Sequence, residues 1–546
     1  MTKVHVAQSP ESTTKMRRVE WNRPMAALSF VIALNMISMP LRAYVTETLP
    51  WAGRTQPVEW NGTTYAANSS WMVLQRMQAL YNDATLPAKA TIFKDQANYT
   101  TVMRQAIRFP HDATCDSMLP LMPGAIFYGP GIRNAICRLV NSTDTVRSMA
   151  QCQHMRHFGI TITEQCVWVY PQHGPTLVVF QSLYQWEQVW FLWIKLALRC
   201  LLTAYVAWEV RVQYYSHCRA LARDIRAFGI PDPVSPIHRI EVYIGDPTCL
   251  TLGNPIVSTC FVVDVWMSVT SVGEVVLQLS QLDDVVLFMK GCLYASRTVW
   301  FAYFSMRYTT VAIKWWRISR WVVPLDPTAI AIGATVLSGP LLYINARTSL
   351  VWLQYALWSI GVRDGDDATE IFPAIVALTT IIGFMPVVLV ACVKASQALV
   401  AAFMPSSRTK HETNMDERLR RYSSMEYNDL NQRIVLSLVQ SSRSDRTRGG
   451  SVYALYDLDA MFRHMPMFSH RSADCFVVGY DSDDVPIEHL RVSLLQCLDI
   501  HHSAMSICRT AHPTAICQLN TKRCATSSPA SKLRIHSGGT KSQWLL

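Results

Sequence analysis

The sequence is short of charge. Asp, Glu, Lys and Arg make up 16% of its 546 residues, against about 25% in an average soluble domain. Acids are the scarcer sign, 39 against 50 bases, which leaves a formal net charge of +11. That excess forms no basic-aromatic module of the kind that reads nucleic acid, so no nucleic-acid partner is expected. Lys and Arg stand instead beside apolar runs. There is no Walker A loop, no Gly-x-Gly-x-x-Gly, no Gly-x-Ser-x-Gly and no His-Glu-x-x-His. These absences remove the usual phosphate cradle, dinucleotide fingerprint, nucleophile elbow and zinc-protease helix. Cys-x-x-Cys is also missing, so the tail residues His501, His502, Cys508, His512, Cys517 and Cys524 lack the close pairing that tetrahedral zinc requires. No catalytic, cofactor-binding or metal-binding residue is assigned, and no cofactor is expected. Three Asp-x-Asp triplets, at 364–366, 457–459 and 481–483, could hold a divalent ion, but such triplets read better as solvated acidic loops.

Apolar residues and tryptophan are plentiful. Half of the chain is hydrophobic and 17 residues are Trp, a side chain that collects at membrane–water boundaries. Hydropathy and flanking charge predict an all-α membrane protein, a six-span helical bundle. Its divisions are a cytosolic N-terminus (1–24), span one (25–44), an exported domain (45–176), span two (177–210), a cytosolic connector (211–254), a charged hairpin of spans three and four (255–320), spans five and six (321–403, with an interfacial segment at 348–362) and a cytosolic tail (404–546). A small folded unit is expected within the tail, over 451–500. Span one reads as an uncleaved signal anchor, a cleaved signal peptide being the competing reading. Every short loop placed in the cytosol is basic, and both short outer connections carry acidic clusters. The reading therefore puts both termini in the cytosol, in a plasma or internal membrane.

The 45–176 stretch carries its own signals. The chain has four Asn-x-Ser/Thr sequons, at Asn61, Asn68, Asn98 and Asn141, and all lie in this stretch. Four cysteines, Cys115, Cys137, Cys152 and Cys166, fall there too, an even number that suits an oxidising compartment and allows three pairings. A glycosylated, disulfide-containing outer domain is the expectation.

Charges inside the apolar runs are the anomaly. Lys195 and Arg199 sit one helical turn apart in span two, while Asp264, Glu274, Lys290 and Arg297 lie within the hairpin. Ionisable groups in such runs usually face protein or water and pair with one another. Depth along the two helices matches Asp264 with Arg297 and Glu274 with Lys290.

The segments Ile244-Gly245-Asp246-Pro247-Thr248, Asn254-Pro255, Gly291 to Tyr303, Asp326-Pro327-Thr328 and Ser338-Gly339-Pro340-Leu341 resemble a family of multi-pass membrane proteins of oomycete water moulds. The resemblance covers about residues 240–345 and implies a membrane fold, with no activity and no site residue. The expected function is a receptor, sensor or scaffold; a transporter or channel using the intramembrane charges and a membrane-bound transferase are the alternatives. The expected partners are the lipid bilayer, an extracellular or lumenal ligand and a cytosolic partner of the tail.

Overall fold

The computed structural model describes residues 18–52, 69–86, 91–108, 113–142, 148–172, 175–230, 235–282, 284–316, 327–352, 355–356, 368–403 and 471–494, with short strands elsewhere beyond residue 446. Five strands from one continuous region make most of the first sheet: β2 (Ile92–Asp95), β3 (Thr100–Arg108), β4 (Met149–His157), β5 (Ile160–Pro171) and β6 (Thr176–Gln185). They pair antiparallel in the order β2-β3-β6-β5-β4, and β8 (Ala368–Glu370) adds a parallel edge beside β4. The β4–β5 loop is two residues, Phe158 and Gly159, both at positive φ, which suits the right-handed twist of the strands they join. Both faces of the sheet are covered, so its central strands are buried on successive residues. On one face Cys152, Cys166, Trp168 and Phe180 pack under α2 (Ser69–Leu80) through Val73, Leu74 and Met77. On the other, Val167, Val169 and Val179 meet Ile132, Ile136 and Leu139 of α3 (Pro130–Asn141).

The second sheet is assembled from distant parts of the chain. β1 (Arg18–Trp21) runs parallel to β7 (Arg239–Tyr243), which pairs with β10 (Cys475–Tyr480), then β11 (Pro486–Leu494) and β12 (Trp544–Leu545). β9 (Thr447–Gly449) also joins β11. The apolar stripe of α5 (Ser216–Phe228), built from Cys218, Leu221, Ala222 and Ile225, packs onto Ile240, Val242, Val477 and Leu490 of this sheet.

Helices lie between the two sheets. α1 (Arg23–Ile37) starts at the Asn22 cap, whose side chain accepts from the Met25 N–H, and α6 (Pro255–Met267) starts the same way at Asn254. These helices share a core with α4 (Val189–Val210), α9 (Val299–Trp315), α10 (Pro327–Ser338) and α12 (Phe372–Phe403). At its centre Phe261 stacks on Trp300 with ring centroids 3.9 Å apart. α4 and α5 form one continuous helix, Val189–Phe228, through a widened turn at Arg211–Tyr215.

This architecture overturns the all-α six-span bundle. The fold is mixed α/β with two six-stranded sheets. Among the described residues only Val189–Phe228 and Phe372–Leu389 are long and apolar enough to cross a membrane, with a third crossing only if a bent helix pair counts as one. The reason lies in breaks that hydropathy does not register. Span one is the 15-residue α1, about 22 Å long and short of the roughly 30 Å hydrocarbon core. Span three bends by 49° between α6 and α7 (Val272–Leu279), and α7 is core: Val276 and Leu277 pack against Met103, Met155 and Leu183 of the first sheet. Span four divides at the tight turn Ser296–Thr298 into α8 (Val285–Ala295) and α9, and span five divides at Gly339 into α10 and α11 (Pro340–Arg347). The expected membrane placement with two cytosolic termini rested on six crossings and falls with them. So do the bilayer, outer-ligand and tail partners, and the multi-pass receptor, transporter and transferase readings.

Candidate functional site

Three acids and three bases meet at the junction of the first sheet and the helices. Glu47, Glu187, Asp264, Lys195, Arg199 and Arg297 are all buried, none with a side chain more than 4% exposed. Lys195 and Arg199 are four residues apart on α4, so they share one face of that helix. Arg199 grips Glu47 bidentately, Nη1 donating to Oε2 at 2.7 Å and Nη2 to Oε1 at 3.0 Å, while its Nε donates to Asp264 Oδ1 at 2.7 Å. Arg297 donates from Nη2 to the other Asp264 oxygen and from Nη1 to Glu47 Oε1 at 3.4 Å. Lys195 bridges Glu187 and Glu47, the latter at 3.3 Å. Ser268 Oγ accepts from Arg199 Nη2 at 2.8 Å, and Tyr294 donates its hydroxyl to Glu47 Oε1 at 2.7 Å.

The electrostatics follow from those contacts. Burial alone would push the Glu47 carboxyl up, but Lys195, Arg199 and Arg297 outweigh it and hold the group well below the usual carboxylate range. Glu187 has only Lys195 as a close partner; burial wins there and its carboxyl is raised. Each of the six charged groups is paired with another of the six. The cluster joins five segments: the 47 loop, the entry to α4, α4 itself, α6 and the α8–α9 junction.

Beside it, Glu274 of α7 takes both of its oxygens to Lys94 of β2, at 2.8 and 2.9 Å, with Gln278 Nε2 donating at 3.3 Å. Lys94 also donates to the Thr46 carbonyl, one residue from Glu47.

A second buried acid has different surroundings. Glu164 of β5 is 1% exposed, its Oε1 has no hydrogen-bond partner, and no Lys or Arg among the described residues pairs with it. Burial pushes its carboxyl up to about 8. It lies on the same strand face as Cys166, which is bonded to Cys152; Cys115 is bonded to Cys137.

No family model, curated protein or solved structure matches this chain. The likeness to oomycete multi-pass proteins is therefore corrected, both by that result and by the two sheets. In the fold its most family-like stretch does local packing. Gly291 lets α8 approach α7 closely, since a Cβ there would sit 2.9 Å from Leu279 Cγ.

The structure brings Asp264 and Arg297 together and separates Glu274 from Lys290. The bend before α7 turns Glu274 toward β2, and Lys290 is exposed on α8. Asn98 is tied by its amide to Asp95 Oδ2 at 2.8 Å, while Asn141 is exposed at the end of α3. Asn61 and Asn68 lie outside the described residues, as do the acidic triplets at 364–366 and 457–459. Asp481 closes the β10–β11 turn, its Oδ1 accepting from the N–H groups of Asp483 and Val485. Glu47 and Lys94 lie outside the predicted spans and Glu187 stands just ahead of the apolar run within span two, so none of them reads as a charge inside an apolar run. The signal for the acids is the excess of bases in α4, where Lys195 and Arg199 stand against the single acid Glu209, so that an acid must come from outside the run, as Glu47 and Glu187 do; nothing in the sequence marks Lys94.

Proposed function

We propose that this chain is a non-catalytic coupling protein, in which the charged cluster locks the helices that join two β-sheets. The observation that carries this reading is Arg199, whose guanidinium binds Glu47 and Asp264 at once and so ties the loop under the first sheet to α4 and α6. α4 continues unbroken into α5, a helix of 40 residues or about 60 Å, and α5 forms the floor of the second sheet. A displacement at either sheet is thus carried by a rigid rod whose near end is fixed by paired charges. Two disulfides in the first sheet's region support maturation of that part in an oxidising compartment.

Asp264→Ala tests the reading. It leaves Arg199 and Arg297 short of an acid and should cost about 3–5 kcal/mol. Hydrogen exchange should then show lost protection in β5 and β6 of the first sheet and also in β7, β10 and β11 of the second. Loss confined to α6 and its immediate neighbours would reject coupling.

A further inference from the structure

Cys152 and Cys166 are directly opposed on β4 and β5, and the next opposed pair on the same face is His154 with Glu164. The Sγ atoms of both cysteines and a carboxylate oxygen of Glu164 lie within 4.8 Å of one another. Tetrahedral zinc, with bonds of about 2.0–2.3 Å, needs ligand atoms about 3.3–3.8 Å apart, so small side-chain adjustments suffice. Glu164 is also a buried carboxyl between His154 and Tyr184 on the neighbouring strands; the Trp186 side chain hydrogen-bonds it, but its Oε1 is unbonded, and a bound cation would supply that oxygen with a partner.

We propose that reduction of the Cys152–Cys166 disulfide opens a zinc site formed by Cys152, Cys166 and Glu164, with His154 placed by strand register to supply the fourth ligand. Two thiolates with an imidazole and a carboxylate are a donor set that zinc favours over calcium or magnesium. In the first step a dithiol reductant gives two electrons and two protons to the disulfide and becomes a disulfide itself. In the second, Zn²⁺ displaces the two thiol protons and the Glu164 proton to solvent. The same two strands thus hold either a covalent bridge or a metal bridge, and the first sheet stays closed in both states.

The test uses the full chain. Oxidised protein, phosphine-reduced protein and reduced variants are each loaded with Co²⁺ as a spectroscopic stand-in for zinc, then desalted. The reduced protein should retain one cobalt showing thiolate charge-transfer and tetrahedral ligand-field bands, while the oxidised protein should retain none at this site. Those bands should disappear in Cys152→Ser/Cys166→Ser and persist in Cys115→Ser/Cys137→Ser. Glu164→Gln removes no thiol and should weaken binding by roughly tenfold or more. Where reduction loosens the fold, adding zinc should restore the sheet's circular dichroism. Equal cobalt spectra with and without Cys152 and Cys166, unchanged affinity in Glu164→Gln, or a reduced chain that neither binds nor refolds with metal would each overturn the proposal.

Discussion

Glu47 and Glu164 are both buried glutamates, and their surroundings drive them to opposite charge states. Glu47 lies among Lys195, Arg199 and Arg297, and those cations hold it ionised in spite of its burial. Glu164 sits in the same half of the molecule without Lys or Arg, and burial holds it protonated up to about pH 8. Both side chains are buried, Glu47 at 4% exposure and Glu164 at 1%, and the partners differ. In an interior of low polarity, therefore, the arrangement of neighbouring charges, not burial itself, decides whether a carboxyl stays charged.

The largest effect should come from removing the charge at the compensated site. Glu47→Gln leaves three buried cations facing two acids, and urea unfolding should show a loss of about 3–5 kcal/mol. The neighbouring pair gives a smaller and more local test. Lys94→Ala leaves Glu274 with amide donors but without its cation and should cost about 1–3 kcal/mol. The exposed Lys290 on α8 should tolerate alanine within about 0.5 kcal/mol. A comparable loss at Lys290 would mean that Glu274 exchanges partners.

The pH response sharpens the contrast, because the two glutamates have opposite signs. The Glu47 carboxyl is depressed on folding, so its contribution is present above the ordinary carboxylate range and is lost as pH falls through the folded value. The Glu164 carboxyl is raised, so its contribution is present below the ordinary range and is lost as pH climbs toward about 8. Unfolding midpoints measured across pH should therefore decline on both sides. Glu164→Gln should flatten the decline between about pH 4.5 and 8 and leave the acid one intact, and an unchanged slope in that window would show that Glu164 titrates normally.

Part of this arrangement is legible in the residues. Charges within apolar runs mark Lys195, Arg199, Asp264 and Arg297 as groups that must find partners, and all four enter one cluster. Asn254-Pro255 has the residues of a helix start, a capping Asn followed by Pro in the first turn, and α6 begins there. Glu274 does not reach Lys290, because residues 255–279 do not form one straight helix. Ser268 ends α6, and the 49° bend carries Glu274 away from Lys290. The first sheet went unread for another reason. Its central strands are covered on both faces and bury Thr163, Glu164, Gln165, Gln181 and Ser182 among their apolar residues, so they show neither a clean alternation nor an unbroken apolar run.

By itself the sequence determined which groups could not be left alone: four cysteines in one stretch, and charges set in apolar surroundings. Tertiary structure decided what each of them met. The cysteines could pair in three ways, and opposed positions on β4 and β5 selected Cys152 with Cys166. Arg199 found Glu47, 152 residues away, and Glu274 found Lys94, 180 residues away. An apolar run such as Val272–Leu279 has the same composition whether it meets lipid or the underside of a sheet. Only its contacts with Met103, Met155 and Leu183 made it core, because hydrophobic burial is non-directional and the chain's path sets which surface covers it.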